Sequence, residues 1–266
     1  MGNILRRKLE IFSKNKNEKD EEDDETKNTG EVLGNVDETM DPFFDENYMT
    51  SIVYHNHQSI ESIEFDRYTL LPIPAKGEML IKVFAFGINP IDVKCLENNI
   101  SQSIIPVPKT LGCEFSGRVA STTSCYTNYF QVGDQVVGML PLIWTKKGAA
   151  AEYITVNENL CAKVPRNISV IEAAGIPVCG LTVVQALREF LQENSFPGST
   201  AGKRILIQGA SGGIGTFSIQ YCKNVLGMYV IATCSERNIP FIQSLGADEI
   251  IDHEHTRSEV NFFSPS

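Results

Sequence analysis

The sequence predicts a β domain followed by an α/β domain: a barrel of short strands, then the first half of a doubly wound parallel sheet. Three observations predict it. Short apolar runs separated by turn residues occupy positions 49–156, with no long helix among them. From Val170 the apolar spacing lengthens to a helical period. From Arg204 onward a strand, a turn of small residues and a helix follow one another, and two further strands complete a βαβαβ order. The expected organisation is a charged tail over residues 1–48, a barrel over 49–170, and a linking helix with a partial dinucleotide-binding sheet over 171–266.

The tail holds 7 Lys/Arg and 14 Asp/Glu, a net of −7 out of −10 for the 266 residues, so the rest of the chain is close to balance. Its run Asp20-Glu-Glu-Asp-Asp-Glu25 lies in a Lys-, Asn- and Glu-rich tract with too little apolar surface to offset chain entropy, so a solvated, unfolded tail is expected. Gly2, behind the initiator Met, is a candidate lipidation position, with Arg6, Arg7 and Lys8 as a basic second signal for anionic lipid. Arg6 stands where the myristoylation pattern has Ser or Thr, which favours the plain solvated tail. The Arg-rich start also fits a transit peptide, and the acidic residues from Glu18 weigh against a long one. The expected location is the cytoplasm, with peripheral membrane contact through the N-terminus; the mitochondrion is the alternative.

In the barrel, residues 60–65, 79–86, 115–120, 135–139 and 151–156 read as strands. Turn signals at Pro72 to Gly77, Pro106 to Gly112 and Val132 to Asp134 separate them. Residues 171–178 and 181–191 read as helix, interrupted at Pro177. After a polar linker, residues 194–203, come a strand ending at Ile207 and a helix marked by Ile214, Phe217, Ile219, Cys222 and Val225. A strand over 229–234, a helix over 239–245 and a strand over 249–252 follow.

The turn Gly209-Ala-Ser-Gly-Gly-Ile-Gly215 lies where a dinucleotide pyrophosphate is cradled. Ser211, Gly212, Gly213, Ile214 and Gly215 are its candidate cofactor residues. Gly212 would let the backbone approach the phosphates, and Gly215 would let the helix pack close to the strand. The helix N-terminus favours the negative charge. Ala210 replaces the first glycine of the pattern, and such turns also serve packing alone. At the end of the second strand, NAD-binding sites carry an Asp or Glu that accepts from the ribose 2′-OH. Here Ser235 holds that place, followed by Glu236, Arg237 and Asn238. Ser235 and Arg237 suit a 2′-phosphate, so NADPH is the expected cofactor, with the carboxylate of Glu236 opposed to it. His253, after the third strand, completes the candidate cofactor set.

The acidic balance argues against nucleic acid as a partner. Seven cysteines, scattered and never spaced CxxC, suit free thiols in a reducing compartment rather than a disulfide framework or a structural zinc cluster. His55 with His57 and His253 with His255 are the remaining ligand-like pairs, and alternate histidines of this kind are mostly ordinary. No apolar run approaches the length of a membrane span.

Six stretches together carry a resemblance. They are Gly87-Ile-Asn-Pro-Ile-Asp-Val-Lys94, Leu111-Gly-Cys-Glu-Phe-Ser-Gly117, Phe130 to Gly138, Ala173-Ala-Gly-Ile-Pro-Val-Cys-Gly-Leu-Thr182, Gly209 to Gly215 and Leu245-Gly-Ala-Asp-Glu-Ile-Ile-Asp252. In this order they resemble the medium-chain dehydrogenase/reductases, in the zinc-free quinone oxidoreductase branch, with the mitochondrial reticulon-4-interacting protein group looking closest. The resemblance implies a GroES-like barrel followed by a Rossmann domain, with NADPH in the cleft between them. It implies reduction of a quinone or an α,β-unsaturated carbonyl, and a homodimer is a further arrangement it allows.

Asn89 is the leading catalytic candidate, since its amide can donate to a carbonyl or to the nicotinamide amide. The ordinary reading is a turn Asn before Pro90. Thr182 sits near the nicotinamide by family analogy, and the ordinary reading is a Thr at a helix start. Zinc-dependent relatives place a Cys at Asn89 and a His at Cys113, with Cys179 close to their third ligand. The set Asn89, Cys113, Glu114 and Cys179 is therefore an incomplete tetrahedral site, and no metal is expected. The family would add three more parallel strands after Asp252, whereas residues 257–266 resemble nothing that should follow. A truncated chain is expected, with the first strand of the parallel sheet left as an exposed edge. The alternative function is a non-catalytic NADPH-binding or membrane-anchored interaction protein.

Overall fold

The computed structural model describes residues 47–57, 60–97, 104–123, 129–143, 145–193 and 198–254. Gly2 and the acidic tail lie outside the described residues. The chain divides into two compact units that meet between Val178 and Cys179.

The first unit is antiparallel. β1 (Tyr48–Tyr54), β2 (Ile63–Leu70) and β4 (Lys109–Thr110) form a three-stranded sheet in the order β2-β1-β4. β3 (Glu78–Gly87), β5 (Glu114–Thr122), β6 (Gln135–Met139), β7 (Tyr153–Asn157) and β8 (Cys161–Lys163) form a five-stranded one, ordered β7-β3-β5-β6-β8. Alternate residues of these strands turn inward, so Met79, Ile81, Phe115, Val119, Val136, Ile154 and Val156 build one core. Each such buried aliphatic contributes roughly 1.5–3 kcal/mol. The two sheets are joined by a bridge between Ser51 and Ala151 and by the Ile52 N–H donating to the Ala150 carbonyl.

Three of these strands, β1, β4 and β8, are not foreseen from the sequence. Ile60–Ser62 is a 3-10 turn rather than the start of a strand, so β2 begins three residues later than expected. A short helix, α1 (Pro90–Leu96), follows Asn89; Pro90 fits its first turn because an N–H there needs no intrahelical partner.

α2 (Val170–Ala174) is capped by Ser169, whose hydroxyl accepts from the Glu172 N–H while the Glu172 carboxylate takes the Ser169 N–H. It packs on β3, β5 and β6, so the contact boundary falls after it, at Val178. α3 (Pro177–Ala186) and α4 (Arg188–Glu193) follow. Pro177 opens α3 instead of interrupting a helix, because proline lacks the N–H that a first-turn position leaves unused.

The second unit holds a parallel sheet ordered β11-β10-β9, built from β9 (Arg204–Ile207), β10 (Tyr229–Cys234) and β11 (Glu249–Asp252). Ile231 stands beside both Leu206 and Glu249. α5 (Gly213–Gln220) ends in a π turn over Tyr221–Val225, and α6 (Ile239–Ser244) joins β10 to β11. Ile207, Ala210, Ile219, Cys222, Val230, Ala232 and Ile242 form the core of this unit. This is the expected architecture: an antiparallel β domain followed by a small parallel sheet with helices.

Candidate functional site

The second unit gathers its candidate residues at the carboxyl ends of its three parallel strands, where open α/β sheets bind ligands. The β9–α5 turn is tied down first. The Ala210 N–H donates to the Thr233 carbonyl at 2.9 Å, and the Gly212 N–H to Gly209 at 3.0 Å. Ala210 is buried, and α5 crosses directly over it. A Cβ on Gly215 would stand 2.6 Å from the Ala210 Cα and from the carbonyl oxygens of Gly209 and Ala210, so only glycine permits the crossing.

Gly212 differs. A Cβ there would meet nothing nearer than the Gly209 oxygen at 3.4 Å, and its φ of −79° is ordinary. Internal packing therefore does not require glycine at 212; the bare backbone faces open space. Ser211, Gly212, Gly213 and Ile214 are all exposed there. The first N–H groups of α5 have no intrahelical acceptor, so this cradle fits a pyrophosphate. A Cβ on Gly213 would lie 3.0 Å from the Sγ of Cys179 on α3.

At the end of β10, Ser235 is buried and its Oγ accepts from Asn238 Nδ2 at 3.0 Å. The sequence reading set Ser235 and Arg237 together for a 2′-phosphate; the structure adds Asn238 as the hydrogen-bond partner of Ser235 and leaves Glu236 and Arg237 exposed on the turn. His253 follows β11, its N–H donating to the Cys234 carbonyl at 3.2 Å, so its backbone lies alongside the residue before Ser235.

The first unit holds Asn89. This residue is the N-cap of α1, in extended backbone, and its N–H donates to Asp92 Oδ2 at 2.7 Å. Its Nδ2 donates to Glu114 Oε1 at 2.7 Å, and the second carboxylate oxygen of Glu114 takes the Val178 N–H in the first turn of α3, also at 2.7 Å. Glu114 is 2% exposed. Burial pushes its carboxyl up, and the donors Asn89 and Val178 oppose that shift.

Asp92, also buried, is raised by burial and pulled back by the Asn89 N–H and the charge of Lys109. Burial pushes the Cys113 thiol up to about 12, with the charges of Asp92 and Glu114 adding to it, so it is neutral at physiological pH. Lys109 is buried and donates to the carbonyls of Thr145 and Lys147 at 2.9 and 3.0 Å.

Thr182 is half-buried in the second turn of α3, past the helix start. Both ring nitrogens of His57 face backbone carbonyls, those of Cys95 and Ile105, and His55 pairs with Glu64. Among the described residues no group of three or more His, Cys, Asp or Glu is arranged to hold a metal ion. The structure thus brings Ser211 to Gly215, Ser235, Arg237 and His253 to one end of the parallel sheet, and joins Asn89 to Glu114 in the antiparallel unit. Sequence reasoning gave no role to Gly87 or Asn238 and weighed Glu114 only within an incomplete metal set; the one available signal was a lone carboxylate in the otherwise small and apolar run 111–117.

Residues 75–166 match the alcohol dehydrogenase GroES-like domain. A chloroplastic quinone-oxidoreductase homolog of Spinacia oleracea is 38% identical over 199 residues, covering 74% of this chain and 58% of that protein. The mitochondrial NAD(P)H oxidoreductase RTN4IP1 of Bos taurus is 33% identical over 230 residues, covering 81% and 57%. The solved quinone oxidoreductase of Coxiella burnetii superposes with a TM-score of 0.66 at 29% identity, covering 78% of this chain and 63% of that one. The chain spans less than two thirds of the length of each.

Proposed function

We propose a function on this premise: the chain belongs to the medium-chain dehydrogenase/reductase superfamily, in its quinone oxidoreductase-like branch. It binds NADPH at the β9–α5 turn and reduces a quinone or an α,β-unsaturated carbonyl. The observation that carries this reading is the contrast between Gly215, a glycine the fold needs, and Gly212, a glycine that only a ligand would need.

When bound, the reduced nicotinamide supplies a hydride. The chain supplies the rest. Gly212, Gly213 and the start of α5 hold the pyrophosphate, and Ser235 favours the 2′-phosphate. With Asn238 donating to its Oγ, Ser235 keeps its own hydrogen for an acceptor, and a phosphate is an acceptor. Arg237 adds positive charge, while Glu236 beside it opposes. A quinone and an enone share one feature, a conjugated carbonyl whose oxygen gains charge as the hydride arrives. Asn89 is the donor for that oxygen or for the carboxamide of the nicotinamide. Thr182, by family analogy, lies toward the nicotinamide.

Fluorescence titration of the 266-residue chain with NADPH and NADH, followed by NADPH oxidation with a benzoquinone, tests the proposal. The expected result is tighter binding of NADPH and quinone-dependent turnover. Binding without turnover leaves a dinucleotide-binding protein and removes the reductase reading; absence of binding removes both.

A further inference from the structure

We infer that Glu114 is a positioning residue for this reaction: its carboxylate holds the Asn89 amide by one N–H, so that the other N–H is presented to a ligand oxygen. The inference rests on the reductase reading above and names how its donor is oriented.

The geometry is specific. The two oxygens of Glu114 take one donor each, Asn89 Nδ2 and the Val178 N–H, both at 2.7 Å. Gly87 makes room for this arrangement, since a Cβ there would stand 2.1 Å from Oε1. The main chain of Asn89 is held separately by Asp92 Oδ2. An amide is planar, so fixing one N–H of Nδ2 fixes the direction of the second, which meets no partner among the described residues. The acceptor oxygen also selects the rotamer. A flipped amide would set Asn89 Oδ1 against Glu114 Oε1, two acceptors in contact.

A purely structural role explains this poorly. A buried carboxylate is costly to desolvate, and a well-packed apolar side chain commonly serves stability as well. Two N–H donors face Glu114 and each is met by one of its carboxylate oxygens, an acceptor role at both, while burial and the like charge of Asp92 push its carboxyl up. In Glu114→Gln the side chain can accept from Asn89 or from Val178, while its NH2 confronts the other donor. The amide of Asn89 then loses its single orientation.

The test uses the full 266-residue chain as wild type, Glu114→Gln, Asn89→Ala and the double variant. NADPH affinity, kcat and KM for a benzoquinone, and side-chain amide resonances of 15N-labelled protein are measured. The Asn89 signal is identified by its loss in Asn89→Ala. The expected result is a fall in kcat of about 10-fold or more for either single variant, and a double variant no slower than Asn89→Ala. The Asn89 amide protons exchange faster with water in Glu114→Gln. Losses that multiply in the double variant, or an Asn89 resonance indifferent to Glu114→Gln, overturn the inference. A wild-type chain with no quinone-dependent turnover sinks the reductase reading separately, and the resonance still decides whether Glu114 fixes the amide.

Discussion

Cys179 Sγ stands 3.0 Å from the point a Cβ on Gly213 would occupy, so a thiol from the first turns of α3 fills the space beside the β9–α5 turn. Gly213→Ala forces one of the two to move by a few tenths of an ångström. A shift of that size in a preorganised anion cradle costs on the order of 1 kcal/mol, which is about a 5-fold loss of NADPH affinity. Cys179→Ala removes the Sγ, and the double variant Gly213→Ala/Cys179→Ala recovers most of the loss. A titration in which Cys179→Ala gives no recovery would show that the two sites act independently.

The glycines at 212 and 215 separate folding from binding. Gly215→Ala drives a Cβ into backbone atoms 2.6 Å away, which cannot rotate aside, so the second unit loses about 2–4 kcal/mol and unfolds at lower urea. Gly212→Ala meets only ordinary contact and leaves the urea midpoint within error, yet weakens NADPH by about 10-fold or more, because the ligand must approach the backbone there. Equal loss of stability in both variants would refute the distinction.

These contrasts mark what the sequence could and could not disclose. The βαβαβ unit is legible because each strand is a continuous apolar run and each connection carries its own helical spacing or glycine signal; β10 and β11 have the bounds the pattern predicts. The barrel is only partly legible. β6 is read in full, but β4 has two residues and exists through its pairing with β1, and Ile60–Ser62 has the composition of a strand yet forms a 3-10 turn. The role of Glu114 leaves no local trace, because its partners Asn89 and Val178 lie 25 and 64 positions away along the chain. The Ser235–Asn238 pair is local, but the neighbouring charge of Arg237 is the more conspicuous sequence signal for a phosphate.

Cofactor preference should respond to Ser235 and Asn238. Ser235→Asp places a carboxylate where a 2′-phosphate would lie and supplies an acceptor for a 2′-OH, so the ratio of NADPH to NADH affinity falls by about 10- to 100-fold. Asn238→Ala removes the donor to Ser235 Oγ and frees that hydroxyl to rotate, which lowers NADPH affinity several-fold and leaves NADH affinity nearly unchanged. Paired titrations with both dinucleotides read the ratio directly. An unchanged ratio in Ser235→Asp would remove this turn from the 2′ subsite.

Asp248 should make the second unit acid-sensitive. One carboxylate oxygen takes the ammonium of Lys223, which leaves the π turn after α5, and the other takes the Val230 N–H at the start of β10. Lys223 first, then the Val230 N–H, hold the Asp248 carboxyl below its ordinary range. The folded protein therefore binds this proton less readily than the unfolded chain does. The stabilisation is complete above the unfolded value of about 4 and is lost as pH falls from there through the lowered folded value. Glu114 and Asp92 respond oppositely: burial raises both, so their ionisation opposes folding and acid relieves them. The total pH profile mixes the two signs, and the difference between wild type and Asp248→Asn isolates one of them. That difference in melting temperature is expected to be constant from pH 7 down to about 5 and to shrink steadily below about 4. A difference that stays constant to pH 2 would mean that the carboxylate contributes through shape and hydrogen bonding alone, without its charge.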